Sequence, residues 1–73
     1  KGNKMALFRF KNDTLVNTYY IVLIGPVLYN NTSGEYYCKI YLSSDCPDNL
    51  TMHYKTEEEC AYERNKLINF MGV

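Results

Sequence analysis

The sequence predicts an α+β fold: a small antiparallel sheet of three to four strands followed by one C-terminal helix packed on one face. Three observations carry this expectation. Apolar and polar residues alternate in short runs through residues 5–54, with turn residues between the runs. Residues 57–71 repeat apolar positions at helical spacing and have a cap at each end. The chain has 73 residues, which suits one small domain, residues 1–73, with a thin core. Residues 1–4 are expected to be a flexible arm, or an addition ahead of a start at Met5.

Each element has its own pattern. Met5 to Phe10 reads as a short strand, with Leu7 on one face and Phe8 and Phe10 on the other. Leu15 to Ile24 is dense in β-branched and aromatic residues. Tyr19, Ile21 and Leu23 alternate there against Tyr20, Val22 and Ile24. Both faces are apolar, so this strand is expected to be central, covered on both sides or paired with another subunit. Gly25-Pro26 breaks the ladder as a bulge or an edge turn, because Pro has no N–H to give. Val27 to Tyr29 continues the strand, and the run NNTSG, residues 30–34, is the clearest turn. Glu35 to Ser43 returns as a strand. It puts Tyr36, Cys38, Ile40 and Leu42 on one face and Tyr37, Lys39 and Tyr41 on the other. Residues 44–49 form a loop, and Leu50 to Tyr54 is a short strand.

The helix has the strongest signals. Thr56 is the N-cap, and Glu59 three residues on completes a capping box. Glu57, Glu58 and Glu59 sit at the positive end of the helix dipole, and Gly72 suits the position after the last turn. Cys60, Ala61, Leu67, Ile68 and Met71 form one stripe, with Phe70 at its margin. Arg64 falls near the middle of that stripe. It reads as an anion site at the sheet–helix seam, as half of an ion pair with an acid such as Glu57, or as a stem lying across the core edge. The ion pair carries more weight, because buried charges are usually partnered.

Composition excludes several classes. A chain that is 47% hydrophobic, with two Pro and four Gly, is not disordered. Eight basic and eight acidic residues cancel, which argues against a basic nucleic-acid coat and an acidic mimic. The longest apolar run, Tyr19 to Tyr29, is interrupted by Gly25-Pro26, so no membrane span is expected. Four sequons, at Asn12, Asn30, Asn31 and Asn49, suit a secreted protein. An odd count of three Cys and no visible leader suit a reducing interior. A cytoplasmic location is expected, with secretion as the alternative. Heavy Asn, Lys, Ile and Tyr usage suits an AT-rich genome, phage or bacterial.

Little in the chain points to catalysis. Cys38, Cys46, His53 and Cys60 are spaced C-x7-C-x6-H-x6-C, without the close pairs that structural zinc sites use. The one His has no marked nucleophile beside it, and phosphate-binding glycine motifs are missing. No enzyme activity, metal or cofactor is expected. Cys38 and Cys60 read as small core residues, while Cys46 in its loop is available. Under oxidising conditions either Cys38–Cys60 or Cys46–Cys60 can form, and the sequence does not choose.

Two surface features remain. Residues 1–11 carry Lys1, Lys4, Arg9 and Lys11, whereas residues 45–63 are strongly acidic. Lys4, Arg9 and Lys11, with Phe8 and Phe10 between them, make a candidate nucleic-acid arm. A basic strand edge that resists aggregation is the weightier reading. Eight Tyr are the second feature. Tyr20, Val22, Tyr37 and Tyr41 fall on faces that one helix leaves uncovered, and Tyr favours interfaces. The expectation is a small non-enzymatic interaction protein. It binds itself as a homo-oligomer, or a larger protein as inhibitor or adaptor, through this face or an open strand edge. The alternatives are a secreted, glycosylated, disulfide-containing toxin or ligand, and a nucleic-acid-binding module.

Overall fold

The computed structural model describes residues 6–44 and 48–72; Lys4 and Cys46 lie outside them. The order is β1 (Leu7–Arg9), β2 (Leu15–Asn17), a 3-10 turn (Thr18–Tyr20), β3 (Ile21–Ile24), β4 (Leu28–Asn30), β5 (Glu35–Leu42), β6 (Leu50–Tyr54) and α1 (Glu57–Met71). It is an α+β fold with an antiparallel sheet and one C-terminal helix. β5 is the centre of the main sheet. β3 and β4 lie end to end along one of its edges, and β6 pairs with the other.

β1 and β2 form a separate hairpin. Its turn takes three residues, with Asp13 at a φ of 72° and the Phe10 N–H donating to the Thr14 carbonyl at 2.8 Å. A short carboxamide or carboxylate residue tolerates that left-handed conformation better than a branched one. The hairpin lies along α1. Phe8 meets Phe70 edge-on at 5.4 Å between ring centres, and the Lys11 ammonium pairs with the Glu59 carboxylate.

The single strand expected over Leu15 to Ile24 is instead three elements. Polar side chains take over the backbone at its middle. The Asn17 side chain accepts from the Tyr19 N–H at 3.1 Å, and both the N–H and the hydroxyl of Thr18 donate to the Ala6 carbonyl. The Asn17 bond is local and caps a 3-10 turn in place of further strand, while the Thr18 bonds end the hairpin ladder against Ala6. The chain there leaves the hairpin and enters the main sheet. Its second part, β3, is an edge strand, not the central one.

Two irregularities bend that edge. Ile21 pairs with Leu42 and Leu23 with Tyr41, two steps against one. Ile24 pairs with Ile40 and Leu28 with Tyr37, four steps against three. Each inserts one extra residue, as a bulge does. The second falls at Gly25-Pro26, where the Gly25 N–H reaches the Lys39 carbonyl at 2.8 Å. A Cβ at Gly25 would lie 3.2 Å from that same oxygen, so the close approach of backbones calls for glycine.

The core lies between the sheet and α1, closed at the side by the hairpin. Cys38, Ile40, Met52 and Tyr54 from the sheet meet Cys60 and Leu67 from the helix and Phe8, Phe10 and Val16 from the hairpin. Full burial of one such aliphatic or aromatic side chain is worth roughly 1.5–3 kcal/mol, the dominant favourable contribution in so small a domain. The helix ends match the sequence reading. The Thr56 hydroxyl accepts from the Glu59 N–H at 3.1 Å, and Gly72 closes the last turn with φ 78°. The Glu59 carboxylate turns to Lys11, so only the Thr56 half of the capping box forms. Thr56→Ala is expected to cost about 1 kcal/mol. A urea titration checks this by a lower midpoint at unchanged slope. An unchanged midpoint would mean that the Lys11–Glu59 pair alone holds the first turn.

Candidate functional site

The face of the sheet opposite α1 carries the odd-numbered residues of β5. Tyr37, Lys39 and Tyr41 stand in a row along it. Leu28 is the cross-strand partner of Tyr37 and Leu23 that of Tyr41, so the row is apolar on both sides of Lys39. His53 lies opposite Tyr37, ring centres 6.0 Å apart, with its Nδ1 3.7 Å from the Glu35 carboxylate. Val22 is lifted out by the first bulge and is 64% exposed; Leu23 is 54% exposed. Among the described residues no strand pairs with the outer edge of β3.

The expected interface residues divide here. Tyr37 and Tyr41 lie on the open face, and Val22 stands at its β3 edge. Tyr20 sits in the 3-10 turn, its ring edge-on to Tyr19 at 5.3 Å. Leu23 and Leu28 were not anticipated. Straight alternation assigns Leu23 to the face of Ile21, but the bulge shifts the phase. It puts Ile21 and Ile24 on the core side and Leu23 outside.

Arg64 lies beside, rather than at, the middle of the buried helix stripe. Its Nε–H donates to the Gly25 carbonyl at 2.7 Å. The guanidinium therefore meets the oxygen of the bulge, not the carboxylate of Glu57. It binds α1 to the irregular edge of the sheet through a charge-assisted bond. The Arg9 and Lys11 cations are also engaged. Arg9 is 3.0 Å from Asp13, and Lys11 meets Glu59. Phe8 and Phe10 are buried, so no exposed ring lies between them for a base to stack on.

The acid at the centre of the stripe is Glu63, which sequence reading passed over. It is 4% exposed, between Cys60 and Leu67. One carboxylate oxygen accepts from the Lys11 backbone N–H at 3.1 Å, and the other is 3.4 Å from the Lys66 ammonium. Its signal was its position, three residues after Cys60 and four before Leu67. Nearby, the Tyr54 hydroxyl is buried and has no hydrogen-bond partner among the described residues. Burial, then the Glu63 carboxylate, then the thiols of Cys38 and Cys60 push its pKa upward. Burial and the neighbouring Cys38 likewise push Cys60 from 9.0 up to about 11. Cys38 is raised by burial, with Arg64 opposing. His53 is on the opposite sheet face from Cys38, so these two members of the spaced Cys/His set do not converge.

No helix among the described residues is long and apolar enough to cross a membrane. Comparisons with known protein families, with curated proteins and with solved structures return no match to this chain.

Three outcomes follow from this geometry. Arg64→Met keeps an apolar stem and removes the donor to Gly25, and is expected to cost about 1.5–3 kcal/mol in urea unfolding. A loss below about 0.5 kcal/mol would show that the bulge holds itself. The second outcome concerns alkali. Cys60, Cys38 and Tyr54 hold their protons more tightly folded than unfolded. Their contribution is full below the ordinary thiol value of 9.0 and is lost as pH rises through about 11 for Cys60. Stability should therefore fall above pH 9, and Cys60→Ala should flatten the fall. Tyr54→Phe removes an unpartnered buried hydroxyl, so at pH 7 it should be neutral or stabilising by up to about 1 kcal/mol. A clear loss at pH 7 would reveal a partner for that hydroxyl.

Proposed function

We propose that this chain is a non-enzymatic interaction protein, binding a second copy of itself or a larger protein through the open sheet face. The observation that carries this reading is the exposure of Val22, Leu23 and Leu28 beside Tyr37 and Tyr41. Ile21–Ile24 contains no charge or Pro, the usual protections of an edge strand. The bulge and Pro26 limit how far a backbone ladder can run. Side chains of the face therefore carry most of the contact, with the edge adding to it. Lys39, in the middle of an apolar row, gives the contact a polar point that an acid on the partner would meet.

A secreted, glycosylated toxin or ligand is the second reading. Asn12, Asn31 and Asn49 are all exposed, in turns and loops where a glycan has room. Intact mass of the native protein separates it from the first, since attached glycan would support this reading.

Light scattering across protein concentration tests the first reading. Association of the wild type beyond the 8.6 kDa monomer, abolished by combined Val22→Lys and Leu23→Lys with unchanged circular dichroism, is the expected result. A wild type that stays monomeric at every concentration and captures nothing from extracts of its source organism would contradict it.

A further inference from the structure

β5 and α1 each deliver one thiol to the place where they pack. Cys38 is 2% exposed and Cys60 0%, and both are free. The two side chains belong to one buried cluster where β5 packs on α1, and each thiol perturbs the other's ionisation. Neither position can drift far. Cys38 is in the strand that is paired on both sides, opposite Met52. Cys60 is in the first turn of α1, where its N–H reaches the Thr56 carbonyl at 3.2 Å. A disulfide needs Cβ atoms about 3.5–4.5 Å apart, which a strand and a helix packed directly on one another can supply.

We propose that Cys38 and Cys60 form an intramolecular strand-to-helix disulfide when the chain folds in the presence of a small-molecule disulfide such as oxidised glutathione. The sequence left a Cys46–Cys60 bridge equally open; the packing of β5 on α1 favours Cys38. The chemistry is two exchanges. One thiolate attacks the oxidant's disulfide and releases one reduced thiol, leaving a mixed disulfide. The second thiolate attacks that mixed disulfide and releases the other. Two S–H bonds are lost and one S–S bond forms. The oxidant's own S–S bond breaks, and the two protons and two electrons end on its two released thiols.

The timing follows from burial. In the folded, reduced chain both thiols are sealed under the helix and hold their protons, so they react slowly. The bridge therefore closes during folding, before α1 seals the core, or in rare openings of the helix. Closing the chain between residues 38 and 60 restricts the unfolded state. It is expected to raise the melting temperature by on the order of 10 °C.

The test is to refold the full chain from its reduced, denatured form in mixed reduced and oxidised glutathione at pH 8. Intact mass and peptide mapping then locate the bond. The expected product is about 2 Da lighter, with the Cys38 and Cys60 peptides linked and Cys46 open to alkylation. Cys46→Ser should give the same bridge, and Cys60→Ala should give none. A bridge that includes Cys46 would overturn the proposal. So would a correctly folded chain whose Cys38 and Cys60 both alkylate once it is denatured.

Discussion

A single helix of 15 residues, about 22 Å long, can shield one side of a sheet and no more. Most of this structure follows from that limit. β5 is paired along both edges, and its even-numbered residues enter the core under α1. Its odd-numbered residues meet solvent. The core is consequently one layer thick, and its buried set draws on sheet, helix and hairpin together. A domain of this length buries only about 60% of the surface of its unfolded chain. The hairpin compensates in part, by laying Phe8, Phe10 and Val16 against the flank of the helix.

Two adjacent polar residues fix the helix in that position. Glu63 and Arg64 are about 100° apart around α1, and each meets a backbone group that the ladders leave over. Glu63 accepts from the N–H of Lys11 at the hairpin turn. Arg64 donates to the carbonyl of Gly25 in the bulge. The first bond ties α1 to the hairpin and the second ties it to the sheet edge. Each charged side chain is thus a connector here, with a main-chain partner on another element, and Glu63 has the Lys66 ammonium beside it as well. The cost of placing those charges out of water is offset by bonds that an aliphatic residue cannot make.

Much of the fold was legible in the sequence, for identifiable reasons. Leu50–Tyr54 and Glu57–Met71 stand where the patterns put them. Their periodicities are uninterrupted, and Thr56 and Gly72 mark the helix ends by local chemistry. The faces of β5 were legible because strict alternation holds through its length. Leu15 to Ile24 was not. Apolar residues on both faces hid its phase, and Asn17 and Thr18 act through side-chain bonds that periodicity does not register. The bulges then shifted Leu23 onto the open face and Ile24 onto the core. Tyr37 and Tyr41 were found as face residues because they lie on the regular strand, whereas Leu23 and Leu28 depend on bulge geometry. Glu63 was passed over for the opposite reason. Its charge argued for solvent, and only the three-dimensional position of the Lys11 N–H explains its burial.

The one-sided cover can be measured directly by amide hydrogen exchange, residue by residue, in dilute and in concentrated protein. The account predicts the slowest exchange in β5 and along the Cys60–Leu67 stretch of α1. It predicts fast exchange for outward-facing β3 amides in dilute protein, slowing when the chain associates or binds a partner. β3 amides as slow as those of β5 in a dilute monomer would contradict it, because that edge would then be covered by the chain itself.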